Sequence, residues 1–217
     1  KEKIKVNAIF DENRPTTEKN AIVTDNYRLL KVDTLNNSPI SDNIIKKICT
    51  YLKKSKYKNL IFSDFRHGIF NLNSIDFFNN ISEYYSFKSA DSQVASRWGN
   101  ITDFKNFDLI TPNEKEARFS IGDQDSNVRN LSLQLYLKSN CKNIILKLGE
   151  KGIYSVVPSS DRRKFYAISL DSFVEKAIDP VGAGDALLAY SSLSYAQTKS
   201  IEIASILGSL AAAIETE

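Results

Sequence analysis

Along this chain the apolar positions fall first into a two-residue rhythm and then into short apolar runs separated by helical stripes. Residues 3–10 alternate apolar and polar side chains, which predicts a half-buried strand. Residues 21–24 and 27–32 are β-type runs separated by Asp25 and Asn26, and two turn formers between such runs predict a hairpin. Ser41 then stands where an N-cap belongs, ahead of a helix to about residue 54 with Ile44, Ile45, Ile48 and Leu52 on one face. Residues 59–64 form a short apolar run ending in polar side chains, and 72–84 carry a second helical pattern. Further short runs at 87–93, 107–111 and 143–148 predict strands, with helices over 114–121 and 128–139 between the last two. Residues 154–157 and 165–170 read as a late pair of strands, and apolar helices over 184–197 and 200–215 close the chain.

Apolar strands alternating with helices predict an α/β fold, a mostly parallel sheet covered by helices on both faces. One domain spanning residues 1–217 is expected, because no internal repeat or low-complexity linker divides the sequence. Such sheets bind ligands in the loops at the carboxyl ends of their strands. The chemistry-bearing residues of this chain sit at those ends.

Composition narrows the field. With 42% hydrophobic and 25% charged residues the chain matches an ordinary globular protein. A net charge of +3 is too small to call for nucleic acid. The densest basic run, Lys53, Lys54, Lys56 and Lys58, ends a helix and reads as a solvated face complementing its dipole. Cys49 and Cys141 form no Cys-x-x-Cys pair and lack adjacent histidines, which excludes a zinc site legible in the sequence and suits a reducing cytoplasm. The longest apolar stretch, 206–214, is interrupted by Gly208 and Ser209 and falls short of the roughly 20 residues of a membrane span, so no membrane partner is expected. The chain opens on Lys1 and contains 0 Met, so it is expected to be part of a longer protein.

The most specific chemistry lies in Asp179-Pro-Val-Gly-Ala-Gly-Asp185, followed at once by a helical run. Gly182 and Gly184 allow tight backbone geometry, so the amides of Gly182, Ala183 and Gly184 would face outward at the helix's positive end. Such an arrangement holds anions, including the charge developing on a transferring phosphoryl group. Asp185 would stand beside these donors, placed to accept a proton late in such a transfer. Taken alone, Gly-x-Gly-Asp also suits a plain glycine turn in which Asp185 only complements the helix dipole.

Two more segments accompany it in order, Leu109-Ile-Thr-Pro-Asn-Glu-Lys-Glu-Ala117 and Leu146-Lys-Leu-Gly-Glu-Lys-Gly152. Together the three segments resemble the ribokinase (PfkB) family: its Asp-Thr-Thr-Gly-Ala-Gly-Asp signature, its Pro-Asn-x-x-Glu motif and its strand ending in Leu-Gly-x-x-Gly. The resemblance implies a ribokinase-like three-layer α/β fold and an ATP-dependent phosphotransferase acting on a sugar or sugar phosphate. It implies Asp185 as base and the amides of Gly182, Ala183 and Gly184 as anion hole. Glu116 and Asn113 would order Mg²⁺ and its waters, although Asn113 also suits a helix N-cap. Gly149 and Gly152 match glycines beside the nucleotide, or simply make the turn between two strands. Lys147 stands where most members carry Thr or a similar residue. Pointing inward it could meet a phosphate; pointing outward it is only solvated. Asp179 matches a loop-building position.

The segments at Arg14–Lys19, Tyr27–Asp33, Ser63–Gly68 and Ala90–Gln93 look like the heptose-phosphate kinase branch. That likeness would bring Lys19, Arg66 and His67 to a phosphorylated sugar, with Asp33 and Asp64 as structural strand ends. A lone histidine such as His67 is more often packed than chemical, whereas Arg66 suits phosphate through its planar fork. The early glycine-rich clamp segment of the family and its last helices have no counterpart in residues 1–217. A homodimer is admitted by the resemblance, not required by it. A nucleoside or vitamin-like alcohol kinase on the same fold, or a non-catalytic relative, would differ in acceptor pocket or turnover. A dinucleotide-binding oxidoreductase is disfavoured, because the glycines form no Gly-x-Gly-x-x-Gly after a first strand.

Overall fold

The computed structural model describes residues 4–24, 27–93, 100–159, 164–174 and 178–216. The chain comprises two compact units, Lys1–Ser55 with His67–Ile81, and Lys56–Arg66 with Ser82–Glu217. In the first, strands β1 (Glu18–Thr24) and β2 (Tyr27–Thr34) pair antiparallel from Glu18↔Thr34 to Thr24↔Tyr27. This is the hairpin that the pattern predicts, and its turn, Asp25 and Asn26, lies outside the described residues.

Helix α1 (Asp42–Lys53) begins where Ser41 Oγ accepts the Ile44 N–H at 3.5 Å, and it buries Ile44 and Ile45 in a cluster with Ile40, Ile48 and Cys49. Lys53, Lys54, Lys56 and Lys58 are exposed, as expected for a solvated face. Helix α2 (Ile75–Ser82) is shorter than the 72–84 pattern. The side chain of Asn71 accepts the N–H groups of Asn73 (2.9 Å) and Ser74 (3.2 Å), while Ser74 Oγ donates to the Ile69 carbonyl (2.6 Å). These local bonds offer the backbone an alternative to the helix, which therefore starts after them.

Residues 4–10 depart from expectation. They adopt no strand, and Ile4, Val6 and Phe10 are exposed. Alternation supplies a face, but a strand also needs a neighbour to take its backbone groups, and the described residues of this run join no ladder.

The second unit holds a six-stranded sheet in the order β3-β4-β5-β6-β7-β8. Its strands are β3 (Asn59–Asp64), β4 (Phe87–Ser92), β5 (Leu109–Ile110), β6 (Asn143–Lys147), β7 (Ile153–Pro158) and β8 (Phe165–Leu170). β3 to β6 run parallel, β7 runs antiparallel to β6, and β8 antiparallel to β7. The helices are α3 (Glu114–Ile121), α4 (Val128–Ser139), α5 (Ala183–Thr198) and α6 (Ile201–Thr216). Side chains alternate across a strand. Phe87, Leu109, Ile145, Ile153 and Val157 thus meet Leu187 of α5 with Ile201 and Ala204 of α6 in one buried cluster. Ile144 and Leu146, fully buried between these positions, point to the other face, where α3 and α4 contact β6.

No helix among the described residues is long and apolar enough to cross a membrane. Cys141 is buried and its thiol pushed up to about 12 by burial, so it behaves as a packing residue.

Candidate active site

The loop before α5 is tied to the end of α6: the N–H groups of Ile178 and Asp179 donate to the Thr216 carbonyl at 3.0 and 3.3 Å. Asp179 Oδ1 accepts the Val181 N–H at 3.0 Å, a loop-building contact. Gly182 is the N-cap of α5 at φ +95°, and no side chain caps the helix. A Cβ at Gly182 would lie 2.8 Å from Glu215 Oε1, the end of an exposed side chain that can turn away, so glycine is needed there for torsion. The Ala183 N–H reaches back to the Pro180 carbonyl at 3.4 Å, closing the turn. Of the three amides expected to face outward, this one is therefore shared with the turn. The Gly184 and Asp185 amides belong to the first turn, where an α-helix offers no acceptor of its own.

Asp185, the third residue of α5, is exposed. Ser63 Oγ, one residue from the end of β3, lies 3.4 Å from Asp185 Oδ1. The carboxylate thus stands at the carboxyl ends of the parallel strands, where this fold class carries its ligands.

Lys147 joins the motifs. Its N–H donates to the Pro112 carbonyl at 2.9 Å, and it forms a parallel bridge with Asn113. Its side chain lies on the α5 side of the sheet, so that a Cβ built on Gly184 would stand 3.4 Å from Lys147 Nζ. Nζ pairs with Asp91 Oδ2 at 2.6 Å, with side-chain exposures of 15% and 6%. Of the two orientations open to this lysine, the inward one is observed. Burial pushes the Asp91 carboxyl above its ordinary range, Lys147 opposes that, and nearby Asp185 adds to it.

Asn113 and Glu116 form a complete capping box at the start of α3. Asn113 Oδ1 accepts the Glu116 N–H at 2.8 Å, and Glu116 Oε2 accepts the Asn113 N–H at 2.7 Å. The cap fixes the turn that follows β5 and buries Glu116. Asn113→Ala is expected to lower folding stability by about 1 kcal/mol, seen as a shifted midpoint with unchanged slope in urea unfolding.

Gly149 and Gly152 make the turn from β6 to β7, at φ +63° and +82°. The Gly152 N–H donates to the Gly149 carbonyl at 2.9 Å and the Leu148 N–H to the Gly152 carbonyl at 2.8 Å. Both glycines lie in the turn that follows Lys147 and so belong to the same end of the sheet.

The acceptor-side residues are distributed between the units. Arg66 belongs to the second unit, at φ +59°. Its Nη1 pairs with buried Asp64 Oδ2 at 2.9 Å and its N–H with Oδ1 at 2.8 Å. Ser92 Oγ donates to the same Asp64 oxygen at 3.0 Å, so Asp64 is the structural strand end expected of it. Lys19 and His67 belong to the first unit. Lys19 is exposed on β1, opposite Asp33. The His67 carbonyl accepts the Arg14 guanidinium, and its Nδ1 lies 3.3 Å from Thr17 Oγ1.

The sequence singles out the segments that contain Ser63 and Asp91 but gives neither residue a role of its own; each is a polar residue at the end of an apolar run. A shallow pocket lined by Lys142, Asn143, Tyr195 and Lys199 starts at the other end of β6, four residues or about 13 Å from Lys147. It plays no part in the cluster around Asp185.

Residues 80–217, well over half of the chain, match the family described as pfkB family carbohydrate kinase. The chain belongs to that family. All of the second-unit cluster except Ser63 lies within the matched span. Similar curated proteins include the bifunctional protein HldE of Helicobacter hepaticus, 28% identical over 201 residues, covering 89% of this chain and 39% of the relative. That of Nitratiruptor sp. is 22% identical over 211 residues, covering 95% of this chain and 43% of the relative. The chain thus spans about two fifths of the curated relatives it matches.

Among solved structures, phosphofructokinase-2 from Escherichia coli with substrates and products superposes with a TM-score of 0.69 at 15% identity, over 86% of this chain and 61% of the other. A ribokinase from Thermotoga maritima gives a TM-score of 0.65 at 22% identity, over 94% of this chain and 64% of the other. At these identities the likeness establishes the fold, a ribokinase-like α/β fold as the PfkB motifs imply.

Proposed function

We propose that this PfkB-family chain transfers the γ-phosphoryl group of ATP to a hydroxyl of a sugar or sugar phosphate at the amino end of α5. The observation that carries this is the position of Lys147. Its backbone is fixed to Pro112 and Asn113, while its side chain reaches Gly184 beside Asp185. Three separate motifs therefore converge on one place.

In the proposed step the acceptor oxygen bonds to the γ-phosphorus as the bond to the β,γ-bridging oxygen breaks and ADP leaves. The acceptor's proton passes to the Asp185 carboxylate. The uncapped amides of Gly182 and Gly184, with the shared amide of Ala183, face the charge on the equatorial oxygens. Gly149 and Gly152 shape the turn beside the nucleotide phosphates.

The residues fit a Mg²⁺ that arrives with those phosphates. Among the described residues no group of three or more acidic, histidine or cysteine side chains could hold an ion alone. Asp91 and Glu116 are two buried carboxylates at the same strand ends, and Asp91 Oδ1 makes no hydrogen bond to another strand or helix among the described residues. Glu116 and Asn113 would hold the ion or its waters, and the ion would supply positive charge to the polyphosphate.

On the acceptor side Lys19, Arg66 and His67 remain the proposed contacts, with a phosphorylated heptose as the favoured substrate, from the likeness to the heptose-phosphate branch. For Arg66 this requires exchanging its bond to Asp64 for one to the acceptor. Incubating the protein with ATP, Mg²⁺ and a panel of sugars, sugar phosphates and nucleosides tests the reading. A phosphorylated sugar product is expected; phosphorylation of nucleosides alone would overturn it.

A further inference from the structure

The Lys147–Asp91 pair is an unusual structural ion pair. An ammonium has three N–H groups, and the carboxylate engages it through Oδ2. Among the described residues Thr111 Oγ1 is buried without a hydrogen-bond partner, and the Asp91 carboxyl has, apart from Lys147, only the adjacent Ser92 N–H. Asp91 and Thr111 directly follow Ala90 and Ile110, which pair across β4 and β5, so they are neighbours on adjacent strands. Ser89 meets Ser192 of α5, and Leu109 lies in the cluster with Leu187. Two residues further along their strands, Asp91 and Thr111 therefore point to the same α5 side as Lys147.

Buried polar groups in native proteins are nearly always satisfied, and a pair kept only for stability is commonly matched or bettered by apolar side chains. This cluster instead keeps hydrogen-bonding capacity at the very place where the Gly184 amide opens a helix. It also sets a single cation against the carboxylates of Asp91 and Asp185. Without Lys147 the α5 terminus would present a polyphosphate with the carboxylates of Asp91 and Asp185, and with that of Glu215 beside Gly182.

We infer that Lys147 is a catalytic residue whose ammonium, held in place by Asp91, contacts the γ-phosphoryl oxygens beside the Gly184 amide. Asp91 is its positioning residue. The inference rests on the nucleotide-kinase reading above and deepens it. A lysine suits the task as a compact point charge on a flexible stem, able to follow the phosphoryl group as its geometry changes.

The test compares Mg²⁺ complexes of ADP and of a non-hydrolysable ATP analogue by calorimetric titration, for the wild type, Lys147→Met and Lys147→Arg. Wild type is expected to prefer the triphosphate. Lys147→Met should lose about ten- to a hundredfold of triphosphate affinity, the weight of one charge-assisted hydrogen bond, with ADP affinity nearly unchanged. Lys147→Arg should recover part of the loss. Should Lys147→Met fold poorly, acetic anhydride labelling of the wild type gives the same answer. The triphosphate analogue should protect Lys147 from acetylation, and ADP should not. Equal losses for both nucleotides, or no protection, would reduce the pair to a structural role. Wild type binding neither nucleotide would overturn the kinase reading itself, and this inference with it.

Discussion

Asp185→Asn is expected to lower the rate of phosphoryl transfer by about a thousandfold while leaving nucleotide affinity within a few-fold of wild type. The amide keeps the size and planarity of the carboxylate, so the first turn of α5 and the Gly182 cap should be unchanged. It cannot accept the proton that the acceptor hydroxyl must lose. Asp185 is exposed and, among the described residues, bears a single long contact from Ser63, so its replacement removes no buried bond there. Steady-state kinetics with saturating ATP, paired with calorimetric titration of ADP, separates the two effects. A variant with wild-type turnover would remove Asp185 from the chemistry. A variant that also lost nucleotide binding would make it a structural residue of the turn.

The largest effect on stability is expected at Gly152. Its φ and ψ of 82° and −129° belong to a region that side chains avoid. A Cβ there would lie 2.0 Å from the Leu170 carbonyl oxygen, 2.6 Å from the Asp171 carbonyl carbon and 2.7 Å from the Ser172 nitrogen. All three are backbone atoms, so no side-chain rotation relieves the clash. Gly152→Ala should cost about 3 kcal/mol or more in urea unfolding. Gly149→Ala makes the control, because Gly149 has φ +63° but open space around a built Cβ. Only torsional strain of about 1 kcal/mol is expected there. Equal and small losses at both sites would contradict the close approach of this turn to the end of β8.

Local signals made much of the second unit legible. The Pro-Asn-x-x-Glu segment contains its own cap, and α3 spans the residues that the pattern assigns to it. Helix α4 follows Asn127, whose side chain accepts the Asn130 N–H at 2.9 Å, and its bounds are likewise those read from the apolar spacing. The glycine turn before α5 was visible because glycine, helix and carboxylate are adjacent in sequence.

What was not visible depends on partners distant in sequence. Residues 4–10 carry a strand's alternation without a ladder, and alternation cannot report whether a partner exists. Lys147 and Asp91 are 56 residues apart, and only the parallel order of β4, β5 and β6 brings them together. The direction of the Lys147 side chain, left open by the sequence, follows from strand parity: Ile145 packs toward α5, and two residues later the lysine must do the same. Arg66 offers the reverse lesson. Its guanidinium suits a phosphate, yet the aspartate two residues before it holds it in the turn.

The account rests on the α5 amino terminus receiving the γ-phosphoryl group. A crystal structure with a non-hydrolysable ATP analogue and Mg²⁺ tests this most directly. The expected result places γ-phosphate oxygens about 3 Å from the Gly184 nitrogen and from Lys147 Nζ, with Asp185 facing the phosphorus. A nucleotide bound with its phosphates directed away from Gly184 would contradict the account.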